Sequence, residues 1–302
     1  MFARELVNEF SWSKSRHGKF QECRRLYWLH YYGSWGGWDQ AASREAREAY
    51  VLKNLSTRQQ WAGKVVHEHL AFALSLARSG AVPPLETVLE RAHHRMREDF
   101  AASRRGLYRN RPKWIVGLVE HEYAEPVPDA EWKANWDNAA TSIRNFYAST
   151  WLEKARTLTK QEWLPIDEIG SFPMDGVKVF AGPDFAFRDG DGVVLVDWKT
   201  GRPRDEDRDQ VTGYALYAQD HWSAAPEKVV ARLVYLGSNE EVDVQVDRAA
   251  LEGFRALFRR SVEQMRALLR DPAKNVAAKD DFPMLEDVAG CRTCSFRKLC
   301  GR

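Results

Sequence analysis

Apolar residues recur at three- and four-residue steps through most of the first half of the chain. This period predicts amphipathic helices over residues 15–32, 39–54, 56–79, 85–103 and 129–156. Ser56-Thr57-Arg58-Gln59 reads as a capping box opening the third of these. Gly80 with Pro83-Pro84 ends that helix, and Pro112, Pro126 and Pro128 break residues 106–128 into loops or loop-and-strand connections. From about residue 162 the pattern shifts to short β-rich runs at 163–169, 177–182, 184–188 and 193–198. Asp189-Gly190-Asp191-Gly192 joins the last two as a hairpin. A helix over 207–221, strands over 229–236 and 242–246, and a helix capped by Asp247 and running to residue 270 complete the pattern.

Strands, a helix and a further strand within helical surroundings predict an α/β fold with a mixed β-sheet core flanked by helices. The expected organisation is a helical N-terminal lobe over 1–160 carrying Cys23 and His67, a core over 161–270, and a cysteine segment over 271–302. The N-terminal helices are expected to wrap the later sheet. No internal repeat or low-complexity tract interrupts this plan.

With 302 residues and 44% hydrophobic content the chain can bury a sizeable core. Its 45 Lys and Arg nearly cancel 43 Asp and Glu, so affinity for nucleic acid has to come from local clustering. No apolar run approaches the roughly 18 residues of a membrane helix, and Met1-Phe2-Ala3-Arg4-Glu5 opens without a secretory hydrophobic region. The expectation is a soluble, cytoplasmic protein with no membrane partner.

Asp197-Trp198-Lys199 ends an apolar strand, where alternation puts Asp197 and Lys199 on one face. Across the hairpin Asp184 brings a second carboxylate, making a hard oxygen site suited to magnesium or manganese, with the Trp198 carbonyl as a further ligand. Such a site suits phosphodiester hydrolysis, Lys199 orienting water or neutralising phosphate. The competing reading is an edge-strand ion pair. Gln210 and Tyr214 share a face of the next helix. His67, four residues after Gly63, is a candidate ligand or else a core histidine. Glu68 and His69 read as surface residues or as neighbours behind the ligands, and His93-His94 as a solvated face.

Cys291, Cys294 and Cys300 form C-x2-C-x5-C, with Cys23 far upstream, a spacing that suggests a metal before disulfides. Four thiolates suit zinc or an iron–sulfur cluster equally. For DNA contact the candidates are Arg104, Arg105, Arg109, Arg111 and Lys113, interleaved with Tyr108 and Trp114, against a solvated basic loop. A second candidate cluster is Lys14, Arg16, Lys19, Arg24 and Arg25 with Trp12 and Phe20.

Gly63-x3-His67, Gly182-Pro183-Asp184, Asp197-Trp198-Lys199 and Gln210-x3-Tyr214, in that order, resemble the PD-(D/E)XK nuclease superfamily. With Ser13-x-Ser15, Phe20-x2-Cys23 and the C-terminal cysteines, the chain is similar to the RecB-type branch that carries a four-cysteine cluster, as in AddB and the CRISPR-associated RecB-like nucleases. Residues 85–157 match no motif of that branch. The resemblance implies a restriction-endonuclease-like fold, with metal ligands at His67, Asp184 and Asp197 and the catalytic lysine at Lys199. It assigns Gln210 and Tyr214 to positioning DNA or the lysine. For the cysteines it implies a [4Fe-4S] cluster, with zinc the alternative occupant.

The resulting expectation is a magnesium- or manganese-dependent deoxyribonuclease acting on DNA, an exonuclease in recombination, repair or CRISPR adaptation, with a helicase or other protein of those systems as partner. The alternative is a DNA-binding or assembly subunit of a repair complex with a weak or partner-dependent nuclease site. A zinc-stabilised, sequence-specific endonuclease is a third reading.

Overall fold

The computed structural model describes residues 6–302, so the Met1-Phe2-Ala3-Arg4-Glu5 opening lies outside the described residues. Strand β1 (Ser11–Trp12) leads into helix α1 (Lys14–Glu22), whose cap Ser13 accepts the Arg16 amide. The single helix expected over 15–32 is broken. Cys23 is extended and caps α2 (Arg24–Trp28), its sulfur accepting the Leu26 amide at 3.5 Å, and Leu29–Gly33 then widens into a π-turn.

Helix α3 (Arg44–Lys53) and strand β2 (Leu55–Ser56) precede α4 (Arg58–Arg78). The capping box forms one residue later than expected, between Thr57 and Gln60, because Ser56 is taken up in pairing β2 with β3 (Gly117–Leu118). Between them α5 (Leu85–Arg104) runs as expected. After α6 (Val119–Glu122), the helix expected over 129–156 is split into α7 (Asp129–Ala148) and α8 (Thr150–Thr157) at Ser149, which turns extended and caps α8.

The strand expected over 163–169 is not formed; only Trp163 bridges Phe187. The chain instead builds a hairpin of β4 (Gly170–Met174) and β5 (Val177–Ala181) around Asp175-Gly176, both at positive φ. Pro173 is tolerated because β4 is an edge strand. Then follow β6 (Phe185–Asp189), β7 (Gly192–Lys199), α9 (Glu206–Trp222), β8 (Val229–Tyr235), β9 (Glu240–Val244) and α10 (Arg248–Arg266), the last capped by Asp247 on the Ala250 amide at 2.7 Å.

The central sheet has the order β6-β7-β8-β9, parallel only between β7 and β8, and a second sheet runs β1-β5-β4. Strand β7 is therefore interior. Its Val193 and Leu195 pack toward α9 and α10, in a core that also takes Trp12 and Phe20 from the N-terminal segment. Its Val194, Val196 and Trp198 pack toward α4, α5, α7 and α8. That second layer gives residues 85–157 a structural part: Phe146 and Trp151 close on the Trp198 ring at 5.4 and 5.9 Å between centroids. Losing the buried indole of Trp198 would cost about 3–5 kcal/mol. Among the described residues no helix is long and apolar enough to cross a membrane.

Candidate active site

The end of β7 is approached by α4 at Gly63, where an added Cβ would stand 2.8 Å from Thr200 Oγ1. This close approach brings His67, one turn further along α4, to Asp184, with Nδ1 3.0 Å from Oδ1. Continuing the β6–β7 register by one residue sets Asp184 opposite Asp197. Asp184 Oδ2 accepts the Trp198 amide at 2.7 Å, which fixes the carboxylate across the strand end.

Asp197 is buried at 3% exposure on an interior strand, which removes the edge-strand ion-pair reading. Its Oδ1 accepts the Tyr214 hydroxyl at 3.2 Å. Lys199 Nζ lies 2.7 Å from the buried Oδ2, which has no other donor near it. Burial and the neighbouring Asp184 carboxylate push the Asp197 carboxyl up, against the pull of Lys199. Burial disfavours the Lys199 ammonium, yet Asp197 and Asp207 raise its pKa above the ordinary lysine value. It is a fixed cation. Gln210 Oε1 accepts from Lys199 at 2.8 Å, and Gln210 Nε2 donates to the Tyr214 hydroxyl, so the two α9 residues position Lys199 and Asp197 respectively. Burial and the same carboxylates raise Tyr214 well above its ordinary value and keep it a phenol.

Two further carboxylates escaped the sequence reading. Asp207 stands 3.6 Å from Lys199 and accepts the Tyr235 hydroxyl at 3.0 Å; its place three residues before Gln210, on one helix face, was the available signal. Asp167 raises the His67 pKa from a loop position, where no periodicity marks it. Together the strand end, α4 and the 200–204 loop enclose a cavity of about 330 Å³ that also takes in Arg202 and Arg204.

These motifs lie within a match to the family model of the PD-(D/E)XK nuclease superfamily over residues 11–301. The chain belongs to that superfamily. None of the curated proteins compared with it matches the chain. Nucleases of the PD-(D/E)XK superfamily act on DNA and typically use magnesium or manganese.

The donor chemistry of this superfamily member suits such a cation. Burial opposes the imidazolium of His67, but Asp184, Asp197 and Asp167 hold its pKa up to about 9, so the carboxylates call for positive charge at this point. Asp197 Oδ2 faces Lys199 alone and has a further lone pair to give. Asp184, Asp197, the Trp198 carbonyl and, once deprotonated, His67 are the residues that would hold the ion. Among the described residues, no three His, Cys, Asp or Glu side chains stand at ion-holding separation.

The four cysteines come together from opposite ends of the described chain: Cys23, Cys291, Cys294 and Cys300 line one small cavity with Leu26 and Phe296. Burial pushes the Cys294 thiol up to about 11 and raises Cys300, so without a metal these two sulfurs are protonated at neutral pH. Thiol chemistry suits a thiolate-bound centre, but the four sulfurs line the cavity without three of them standing at ion-holding separation. The segment is held in any case, because Phe296 is buried, Tyr123 donates to the Ser295 carbonyl at 2.7 Å and Arg297 pairs with Glu125 at 2.6 Å.

The other expected contacts divide. His69 is buried, its Nδ1 2.7 Å from the Val65 carbonyl, and is a core residue; Glu68 is partly exposed and His93-His94 are exposed. The cluster of Lys14, Arg16, Lys19, Arg24 and Arg25 is not a free basic face. Arg16 is buried against Phe10, Tyr27 and Tyr31, Lys14 pairs with Asp209 at 2.7 Å, and Arg25 donates to the Phe282 carbonyl. Arg24 lies over the Phe20 ring, burial lowers Lys19, and Trp12 and Phe20 are core. In the other stretch Tyr108 is buried, bonded to Glu122, and cannot stack on a base. Arg109 is held by Glu48 and Glu122, whereas Arg104, Arg105, Arg111 and Lys113 are exposed.

Proposed function

We propose that this superfamily member is a magnesium- or manganese-dependent exodeoxyribonuclease of the RecB-type branch, working in recombination, repair or CRISPR adaptation. The observation that carries the reading is Lys199 Nζ, fixed between Asp197 and Gln210 beside the Asp184 carboxylate. A divalent ion, when bound by Asp184 and Asp197, supplies Lewis acidity toward the phosphate. Lys199 keeps its proton and neutralises charge developing on the phosphate oxygens. Gln210 fixes the direction of the ammonium, and Tyr214 fixes the Asp197 carboxylate by donating to Oδ1.

The cysteines are read as ligands of a structural [4Fe-4S] cluster, with zinc as the alternative. Support comes from the four thiols lining one cavity and from motifs similar to the cluster-bearing branch. Hydrolysis requires no electron transfer.

The deciding experiment incubates the protein with end-labelled linear DNA and closed circular DNA, with magnesium, manganese or chelator. Metal-dependent loss of label from linear DNA, with circles intact, is the expected result. Cutting of circles would favour an endonuclease. Inertness toward both would favour a binding or assembly subunit, a reading to which the absence of three pre-gathered ligand side chains lends support.

A further inference from the structure

The 37–51 and 109–114 segments enclose a second cavity, of about 610 Å³. It shares no residue with the catalytic pocket. One wall is aromatic. Trp38 packs edge-on against Trp35 at 5.1 Å and against Tyr50 of α3 at 5.8 Å between centroids, and Trp38 remains 44% exposed. The cavity is also lined by Trp114, 77% exposed on a turn closed by its own amide on the Arg111 carbonyl. Exposing two indoles in one cavity forgoes burial that Trp ordinarily finds.

The platform is built to be rigid. At Gly37 an added Cβ would fall 2.3 Å from the Ala46 carbonyl oxygen and 2.5 Å from Tyr50 Cβ, so only glycine lets the loop bearing Trp38 press onto α3. Gly36, at φ +74°, makes the turn into it. Behind the cavity Val51 belongs to the same core as Tyr108 and Phe296, so the cysteine segment backs this wall.

The charges are unpaired where they matter. Arg47, Arg111 and Lys113 line the cavity, and Lys53 lies close enough to Lys113 for the two charges to repel. None of the four has a carboxylate within ion-pair distance among the described residues, unlike Arg109 beside them, which is held by Glu48 and Glu122. Asp39 also lines the cavity, its Oδ1 accepting the Ala41 amide at 2.8 Å within its own turn. Burial, then the Lys113 charge, lowers the Lys53 pKa, as expected of cations crowded without an anion.

We propose that this cavity docks single-stranded nucleic acid, holding a part of the strand that lies outside the catalytic pocket. Cations at the rim meet phosphates, and the Trp38 and Trp114 faces take bases that are free to stack, which a duplex does not offer. The site connects to catalysis through one helix: β2 follows α3 directly, and His67 lies about 13 Å along α4 from its start. The inference rests on the nuclease reading only for the strand being DNA.

The test measures binding of fluorescent oligo(dT) in chelator, by anisotropy and by quenching of intrinsic tryptophan fluorescence, in the full chain. Trp38→Ala with Trp114→Ala should weaken binding about tenfold or more and remove most of the quenching. Arg111→Ala with Lys113→Ala, both on an exposed turn, should flatten the logarithmic salt dependence by about 1.4, at about 0.7 per phosphate on a single strand. Unchanged affinity and quenching in the aromatic variant, or an unchanged salt slope in the charge variant, overturns the proposal and leaves the nuclease reading standing. Aromatic-dependent binding by a protein that never cleaves DNA overturns the nuclease reading alone.

Discussion

Gly63 faces Thr200 across the gap between α4 and the end of β7, where an added Cβ would stand 2.8 Å from Oγ1 and fit only if that hydroxyl gave way. The consequence is functional, because His67 reaches Asp184 from the next turn of the same helix. Gly63→Ala gains helix propensity of about 1 kcal/mol, which offsets part of the strain, so melting should change little. Cleavage should fall at least tenfold as His67 is displaced. Adding Thr200→Ala removes the obstructing oxygen and should restore activity toward the single Thr200→Ala level. Without that rescue, Gly63 would act by some route other than contact.

Asp197 is placed for function against stability. An ionised carboxylate buried beside Asp184 weakens the fold at neutral pH, and the Lys199 ammonium offsets only part of that cost. In chelator Asp197→Asn should therefore melt at or above the parent temperature, while cleavage falls by about a thousandfold or more. Magnesium or manganese should raise the melting temperature of the parent by mass action and leave the variant unmoved. Equal metal-induced shifts in both proteins would remove Asp197 from the ligand set.

His30 supplies a pH signature away from the active site. Its ring lies 4.6 Å from Tyr31 and 6.2 Å from Phe296, and burial, with Lys19, Lys53 and Arg16 nearby, pushes its pKa down to about 3. The unfolded chain takes up this proton near pH 6.5 and the fold refuses it, so stability is intact above 6.5 and is lost as pH falls toward 3. The loss attributable to His30 is on the order of 3 kcal/mol by pH 4. His30→Gln should flatten this limb of the melting curve against pH. A variant with the parent's slope would assign the acid sensitivity elsewhere.

The central strands of the fold were legible in the sequence because β7 and β6 carry apolar runs joined by a Gly-rich turn, whereas β4 was missed and the strand expected over 163–169 is not formed. The Asp184, Asp197 and Lys199 positions followed from that register alone. The breaks at Cys23 and Ser149 were not legible, since helical periodicity continues through both and only the caps they form, on the Leu26 and Trp151 amides, end the helices. Arg16 and its neighbours read as a basic face because composition does not reveal that aromatic rings enclose the guanidinium. Asp207 and Asp167 act through tertiary contact with Lys199 and His67, which no local pattern encodes.

The proposed cysteine centre would join the bend between α1 and α2 to the 291–300 segment, so its loss should be read in colour, stability and cleavage together. If it is an iron–sulfur cluster, anaerobically purified protein should be brown and contain iron with acid-labile sulfide; a zinc protein would be colourless. Assembly has to displace protons from Cys294 and Cys300, whose thiols burial holds protonated at neutral pH, so metal uptake should be accompanied by proton release. Closing nearly the whole chain into one loop limits the unfolded ensemble by on the order of 5 kcal/mol in the loop-entropy picture. The full amount is not expected to be lost, because Phe296, Tyr123 and Arg297 anchor the segment independently. Cys23→Ala should thus bleach the protein, lower its melting temperature and reduce cleavage, while Arg297 stays paired with Glu125. A Cys23→Ala protein that kept its iron, stability and activity would show that the bend at Cys23 is a helix break and not a ligand position.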